Sequence, residues 1–409
     1  MPIMKSVIAA ACLTLLAPSL IRAAVGEHGL IPQALSVDTT GSHTVVVTEP
    51  LQPDADATTW RLVEELKLGN VAGDGPDGFG DLRDLAVDGI GRIYLLDVAA
   101  EEVRVFGRDG AYLGSMARDG DGPGEFRYQR FSEPRITWRT PDQLWIGDGQ
   151  RHVVLDTLGQ ELARSASWRG FFLPGEFPTS SKVIASGTDG SLFSVVDVIA
   201  IQGPDQAVVP LHTYVVHSPV TADHEVLPGD TLAIETRNTE MGGGAEPLQG
   251  RGGSTTTLQR MQPPEDPRFV WTVERHGTLW LAHRSRYRFD KLTFVGDTVL
   301  TVKMGEIPPL PSAGSDFAPV VASLASSPEG WLWVERQHST TEESTWDVLD
   351  NCGRYRATVT APVGLSRPEV GHGGALYGIS SDELGVDFVY RFRLQEEGGA
   401  QVARETCPF

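Results

Sequence analysis

The sequence LRDLAVDGIGRIYLLD (residues 82–97) contains the unit that decides the fold. An apolar run from Leu82 to Val87 leads to a turn at Gly91, and an aliphatic and an aromatic residue, Ile93 and Tyr94, follow the turn. Glycine suits tight hairpins because it adopts backbone angles that other residues avoid. The same order of turn residue, any residue, aliphatic residue and aromatic residue recurs, giving the units Gly91–Tyr94, Asp142–Trp145, Gly190–Phe193, Gly277–Trp280, Gly330–Trp333 and Gly374–Tyr377.

Several of these units are followed by a second hairpin. Val103–Phe106 leads to a turn at Asp109-Gly110, and Trp346–Leu349 leads to a turn at Asn351–Gly353. Short apolar or alternating runs without helical spacing predict strands. Four-stranded units of roughly 40–50 residues are typical of β-propeller blades. The sequence therefore predicts an all-β protein, a six-bladed β-propeller of four-stranded antiparallel blades over residues 60–395.

The interval between the third and fourth units is far longer than the others. It contains either a seventh blade or one blade with an insertion. Residues 229–266 are rich in Gly, Thr and Pro and lack the turn-aliphatic-aromatic unit, which favours a long loop. We therefore expect six blades, with residues 229–266 as a loop insertion.

The ring has to close. Residues 60–68 (WRLVEELKL) precede the first blade, and we expect them to supply the outermost strand of the last blade, residues 366–395. Such a strand joins the chain ends and covers an exposed sheet edge. The alternative is a short helix, because Glu and Lys are good helix formers. Residues 25–59 are then a lead-in segment, and residues 396–409 are a tail.

The N-terminus has the pattern of a secretory signal peptide. Lys5 precedes the apolar run Val7–Leu16, and small residues at Ala23 and Ala24 suit cleavage. We expect residues 1–24 to be a signal peptide and the mature protein to be periplasmic or secreted. A lipoprotein attached through Cys12 and an uncleaved anchor are the alternatives. No later apolar run is long enough to span a membrane.

The chain has 409 residues and a formal net charge of −20. Nucleic acids and anionic membranes require basic partners, so this charge argues against both. The expected partners are a small molecule, a peptide, a glycan or an envelope protein, and the expected state is a monomer.

Residues 60–160 resemble the bacterial six-bladed β-propeller family related to NHL-repeat proteins, and residues 180–400 resemble it more weakly. The resemblance rests on Phe79–Gly80, Leu85–Asp88, Gly91–Tyr94, Asp97, Val103–Phe106, Asp109–Gly110 and Gly120–Phe126. Asp382–Val386, before a final Tyr-Arg-Phe strand, also resembles the ending of the family. The resemblance implies the propeller fold and, usually, an extracytoplasmic setting. It implies little about activity.

Charged residues near the starts of the innermost strands are the best candidates for lining the central channel. A mixture of charges there could hold a polar or anionic ligand. The alternative is ordinary charge pairing around a solvated channel. The candidates are Asp84, Arg135, Lys182, Arg268 and Glu369.

A metal site is a weaker hypothesis. Asp97, Asp148 and His283 each lie three residues after a repeat aromatic, and carboxylates with histidine could hold zinc or calcium in the channel. The resemblance implies instead a structural role, in which such an Asp accepts turn N–H groups. No catalytic motif is present, so we expect a binding module without a cofactor. The alternatives are a metal-dependent lyase or hydrolase of the NHL-like type and a scaffold within a larger complex.

Removal of the signal peptide would leave two cysteines, Cys352 and Cys407. An exported protein with a cysteine pair is a candidate for a disulfide. We expect the bond to fix the tail against the fifth blade. Two free thiols are the alternative.

Overall fold

A computed structural model of the protein describes residues within the unit Gln33–Phe409. The described residues are 36–38, 44–48, 59–73, 75–128, 134–139, 142–148, 151–166, 176–186, 191–200, 208–249, 255–261, 269–274, 277–293, 296–304, 320–337 and 343–397. They contain 27 strands and one turn of 3-10 helix at His372–Gly374. No helix in this part of the chain is long and apolar enough to cross a membrane.

Three strands precede the first blade, and the remaining strands follow in chain order. The leading strands are β1 (Ser36–Asp38), β2 (Thr44–Thr48) and β3 (Thr59–Leu68). Blade I is β4 (Leu82–Val87), β5 (Ile93–Asp97), β6 (Glu102–Phe106) and β7 (Tyr112–Arg118). Blade II is β8 (Arg135–Arg139), β9 (Gln143–Gly147), β10 (Arg151–Leu155) and β11 (Glu161–Ala166). Blade III is β12 (Glu176–Ser186), β13 (Leu192–Ala200), β14 (Val208–Ser218), β15 (Asp230–Gln249) and β16 (Thr255–Met261).

The second half of the chain forms three more blades. Blade IV is β17 (Phe269–Val273), β18 (Thr278–His283), β19 (Arg288–Thr293) and β20 (Thr298–Met304). Blade V is β21 (Val321–Ser326), β22 (Leu332–Arg336), β23 (Ser344–Leu349) and β24 (Tyr355–Ala361). Blade VI is β25 (Ser366–Val370), β26 (Ala375–Ser381) and β27 (Asp387–Glu397), to which β3 is added. The predicted all-β, six-bladed propeller is confirmed.

Each blade packs on the next through an apolar cluster. The aromatic residues of the six repeat units lie in these clusters and are at most 4% exposed. One cluster joins Tyr94 of blade I to Ile136 of blade II, and another joins Tyr377 of blade VI to Leu85 of blade I. The other clusters join blades II and III, III and IV, IV and V, and V and VI. The chain of clusters therefore returns to its start, as a closed ring requires.

The predicted closure by an N-terminal strand is confirmed. Strand β3 pairs antiparallel with β27 from Thr59 opposite Glu397 to Leu68 opposite Val389. The helix that the Glu and Lys residues allow does not form, because the apolar side chains of the strand pack on both sides of blade VI, Trp60 and Leu62 toward blade V and Leu66 and Leu68 toward blade I. The indole of Trp60, for example, lies 6.0 Å from that of Trp331, measured between ring centroids.

Two regions outside the predicted strands also form sheet. In the lead-in segment, β2 pairs parallel with β20 and β1 pairs with β2, so both extend the outer edge of blade IV. In residues 229–266, β15 and β16 pair as an antiparallel hairpin. This hairpin differs from the loop expected there, because the Thr residues of β16 favour extended backbone despite the neighbouring glycines.

Cys352 lies in the predicted outer hairpin of the fifth blade. The turn joins β23 to β24, and Asp350 accepts the N–H of Cys352 at 2.9 Å. Cys352 is 3% exposed and disulfide-bonded. The second sulfur lies outside the described residues, as does Cys407, so the Cys352–Cys407 pairing stays a prediction.

His152 on β10 is a buried titratable group within blade II. It is 1% exposed, and within the described part of the chain neither ring nitrogen has a hydrogen-bond partner. Its ring centroid lies 6.2 Å from that of Trp145. Burial lowers the pKa of His152 to about 4, although the carboxylate of Asp148 acts in the opposite direction.

Acid should weaken the fold through His152. The pKa is near 6.5 in the unfolded chain and about 4 in the folded one, so the unfolded chain takes up the proton first as the pH falls. From pH 7.5 to 5 we expect the free energy of unfolding to decrease by about 2 kcal/mol from this group. Urea denaturation of His152→Phe and His152→Leu should show a decrease smaller by that amount. An unchanged pH dependence in both variants would contradict the assignment.

Candidate functional site

The innermost strands of the propeller enclose a cavity of about 330 Å³. Residues of β4, β8, β17, β21 and β25 line it. An innermost strand has a sheet partner on one side only, so its unpaired N–H and C=O groups face the channel. The cavity therefore offers backbone hydrogen-bonding groups around its wall, and its selectivity depends on the side chains that project into it.

The strand register shows that one blade differs from the rest at the level of the repeat aromatics. In every blade, one residue of the innermost strand is paired with the aromatic residue of the second strand. Five of these residues are small and the sixth is a glutamate. They are Ala86 (opposite Tyr94), Thr137 (Trp145), Ala185 (Phe193), Thr272 (Trp280), Ala325 (Trp333) and Glu369 (Tyr377).

Blade VI also carries a β-bulge at this place, and the first strand pairs of blades I, III and V have register shifts of their own. The register shifts between Ser366 and Glu369, so Arg367 and Pro368 have no regular partner on β26. Arg367 has φ of 55°, a left-handed conformation that costs a residue other than glycine about 1 kcal/mol or more. Arg367, Pro368 and Glu369 all line the cavity. Among the described residues of the innermost strands, Arg367 alone has a positive φ. Strained residues concentrate at functional sites, which marks this segment as the candidate site.

A second pair of charges lines the same cavity between blades I and II. Arg135 Nη1 lies 3.2 Å from Asp84 Oδ1, and Asp84 Oδ2 accepts the N–H of Ile136 at 3.0 Å. Asp84 is 9% exposed, so its carboxylate joins the two blades as well as facing the channel. Ordinary charge pairing, the alternative to ligand binding, is therefore present between Arg135 and Asp84.

Three of the five predicted channel residues, Asp84, Arg135 and Glu369, line the cavity. Lys182 lies on β12, opposite Val195 of β13, and its side chain is outside what the structure describes. Arg268 also lies outside the described residues. Binding of a ligand by these side chains stays a prediction.

Sequence reasoning missed most of the other cavity residues, among them Arg367, Ser323 and Trp271. Ser323 Oγ donates to Glu335 Oε2 at 2.7 Å, and Ser344 Oγ donates to Glu335 Oε1 at 2.8 Å. Burial raises the pKa of the Glu335 carboxyl. The sequence signal for Arg367 was the proline that follows it, because an X-Pro pair inside an inner strand indicates an irregularity.

The carboxylates of the metal hypothesis have structural partners. Asp97 accepts the N–H groups of Gly80 and Asp81 at 3.0 and 3.1 Å. It also accepts the backbone N–H groups of Ala99 and Ala100 in the turn that follows it. This is the structural role that the resemblance implies. It fixes the start of β4 to the end of β5.

The other two residues of that hypothesis are engaged in a similar way. Asp148 accepts the N–H of Arg127 at 3.1 Å and the N–H of Arg151 at 2.8 Å. His283 Nδ1 lies 2.7 Å from Ser285 Oγ. Within the part of the chain that the structure describes, no group of three His, Cys, Asp or Glu residues could hold a metal ion.

The strain at Arg367 predicts an unusual order of stabilities. Arg367→Gly and Arg367→Ala both remove the side chain, but only glycine accepts a φ of 55° without cost. We expect Arg367→Gly to be more stable than Arg367→Ala by about 1 kcal/mol. In an ordinary strand the order is the reverse. Chemical denaturation of the two variants measures the difference, and a more stable alanine variant would show that the backbone is not strained in solution.

The fold is similar to several solved structures. A member of the DUF4221 family from Bacteroides vulgatus is 9% identical, with 83% of this chain and 99% of that chain covered and a TM-score of 0.44. Virginiamycin B lyase from Staphylococcus aureus is 10% identical, with 82% and 100% covered and a TM-score of 0.42. Regucalcin, a calcium-binding protein from Agrobacterium tumefaciens, is 12% identical, with 82% and 97% covered and a TM-score of 0.39. No protein-family model and no curated protein matches the chain.

Proposed function

We propose that the protein is an exported binding module whose ligand occupies the central channel and contacts the bulge of blade VI. The observation that carries the proposal is the departure of one blade from the repeat. Five blades place a small residue opposite the repeat aromatic, whereas blade VI places Glu369 there, beside the strained Arg367. Strain that folding does not require is retained where it serves a function.

The lining of the cavity supports binding of a small polar compound. Its volume of about 330 Å³ lies at the lower end of the range for ligand pockets, roughly 300–1,000 Å³. Charged side chains of both signs and the indoles of Trp138 and Trp271 line it. The lining exposes more polar than apolar surface, which suits a polar ligand. No specific observation on the described residues favours a metal-dependent lyase or hydrolase.

Export is the second part of the proposal, and it rests on the N-terminal sequence. The apolar run Val7–Leu16 behind Lys5 is typical of a signal peptide. We also propose that the protein is related to NHL-type propellers, on the basis of segments such as Gly120–Phe126. That relation supports an extracytoplasmic setting.

Ligand-induced stabilisation tests the channel. The free energy of unfolding rises by about 2.7 kcal/mol when a ligand is present at 100 times its Kd. We expect a compound from a panel of amino acids, dipeptides, carboxylates, amines and saccharides to raise the Tm of the wild type. The shift should vanish in Arg367→Gly.

Glu101→Gly is the matched control for this experiment. Glu101 also has a positive φ, 58°, but it lies exposed in the turn between β5 and β6, away from the cavity. This variant should keep the ligand-induced shift. An equal loss in both variants, or no shift with any compound class, would reject the channel as the binding site.

Fractionation tests export. When the full chain is expressed in a Gram-negative host, we expect the protein in the osmotic-shock fraction, with a new N-terminus near Ala24 on N-terminal sequencing. Recovery from the cytoplasm with Met1 intact would contradict export. A membrane-bound form with a lipid on Cys12 would favour the lipoprotein alternative.

A further inference from the structure

We infer that the channel ligand is a small primary amine in its ammonium form, which donates a hydrogen bond to Ser323 and balances the charge of the buried Glu335 carboxylate behind it. The inference rests on the proposed function and specifies the chemical class of the ligand. It follows from a buried negative charge that has no positive partner among the described residues, and from the position of that charge beside the channel.

Glu335 differs from the other buried carboxylates in the part of the chain that the structure describes. Eight Asp and Glu residues there are at most 9% exposed, and seven of them have a Lys or Arg nitrogen within 3.5 Å. Glu335 is the exception. A buried charge ordinarily has a counter-charge, because desolvation without one is costly. The seven pairs are Asp84–Arg135, Asp88–Arg92, Asp97–Arg104, Asp148–Arg151, Glu274–Lys291, Asp347–Arg336 and Asp350–Arg354.

Two hydroxyl groups hold the Glu335 carboxylate in place. Ser323 Oγ donates to one of its oxygens at 2.7 Å, and Ser344 Oγ donates to the other at 2.8 Å. Ser344 itself accepts the N–H of Leu365 at 2.9 Å. Burial raises the pKa of the Glu335 carboxyl, and the two hydroxyl donors act in the opposite direction. Hydroxyl groups orient a carboxylate without neutralising it, so a cation beside Ser323 would complete the charge pairing.

The carboxylate lies on the side of blade V that faces the bulge of blade VI. Ser323 is paired with Glu335, and paired residues project from the same face of a sheet. Ala325, two residues further along the strand, shares that face and belongs to the apolar cluster between blades V and VI. Ser323 lines the cavity, whereas Glu335 is one strand further out, on β22. The hydroxyl group therefore connects the channel to the carboxylate.

Ser323 offers a ligand an acceptor and no donor. Its only hydroxyl proton is donated to Glu335, while its oxygen still has a lone pair to accept with. An ammonium group has N–H donors, and one that donates to Ser323 Oγ would lie within about 6 Å of the carboxylate. Opposite charges at that separation attract strongly in a site with a low dielectric constant. A carboxylate ligand would be repelled at the same position.

Two other features of the protein favour an organic cation. Trp138 and Trp271 line the cavity and are partly exposed, and the face of an indole attracts an ammonium group. The formal net charge of −20 draws cations toward the protein. Arg367 and Glu369 of the facing bulge carry opposite charges and have interactions of their own, so the inference depends on neither of them.

Isothermal titration calorimetry at neutral pH with tyramine and three analogues tests the inference. Tyrosol replaces the ammonium by a neutral hydroxyl, and 3-(4-hydroxyphenyl)propanoate replaces it by a carboxylate. We expect tyramine to bind the wild type at least about 10-fold more tightly than either, because only tyramine brings a cation to the carboxylate. N,N,N-trimethyltyramine keeps the charge but has no N–H on nitrogen, so it should also bind at least about 10-fold more weakly than tyramine.

Glu335→Gln and Ser323→Ala test the two residues separately. In Glu335→Gln the preference for tyramine over tyrosol should disappear, and the Tm without ligand should not fall, because the variant removes an unpaired buried charge and keeps the shape of the side chain. Ser323→Ala should weaken tyramine binding by about 10-fold, and it tests the same contact if the first variant does not fold. Glu101→Gln, which removes one negative charge from an exposed turn away from the cavity, is the matched control and should keep the preference.

The outcomes separate the ligand class from the channel site. Equal binding of tyramine and tyrosol by the wild type, or an unchanged preference in Glu335→Gln, would overturn the inference. If tyrosol, the carboxylate or a saccharide binds instead and loses its binding in Arg367→Gly, the ligand class is wrong and the channel site stands. If no compound binds, the ligand class and the proposed function fail together.

Discussion

The pairing of a large buried aromatic residue with a small residue on the innermost strand is the constraint on which five of the six blades depend. Residues directly opposite in antiparallel strands project from the same face of the sheet, so Ala86 or Thr137 leaves room for Tyr94 or Trp145 to pack. The six repeat aromatics are at most 4% exposed. Burial of such rings is among the largest favourable contributions to a fold, and here each ring contributes to an interface between blades.

Blade VI departs from that constraint, and it is also the blade in which the two ends of the propeller meet. Arg391 of β27 pairs with Glu65 of β3 at 3.2 Å and donates to the carbonyl of Arg108 in blade I at 2.6 Å. These contacts fix the outer part of the blade on both sides. A strained residue such as Arg367 persists only where the surrounding structure determines its conformation, and here β26 of the same blade and the innermost strands β21 and β4 of the neighbouring blades lie against β25.

The repeat made the fold predictable, because six copies of one short pattern specify six similar sheets and a terminal strand to close them. The candidate site was predictable only in part. Asp84, Arg135 and Glu369 follow from the rule that innermost strands line the channel. Arg367 does not follow from that rule: the proline after it signals an irregularity, but the positive φ and the bulge arise from the pairing of β25 with β26. The hairpin of β15 and β16 was missed for a similar reason, since its glycines indicate a loop whereas its pairing is long-range.

The charge of the whole chain and the charge of the cavity lead to different expectations for a ligand. The chain carries −20, so its field repels anions over distances of about a Debye length, roughly 8–10 Å in physiological salt. The carboxylates of Asp97 and Asp148 add to that field, but their oxygens are occupied by turn N–H groups. The described side chains of the cavity include the cations Arg135 and Arg367 as well as the anions Asp84 and Glu369. The lower dielectric inside the cavity strengthens each of their interactions. The acidic surface thus disfavours simple anions at a distance, whereas the lining presents groups of both signs at contact.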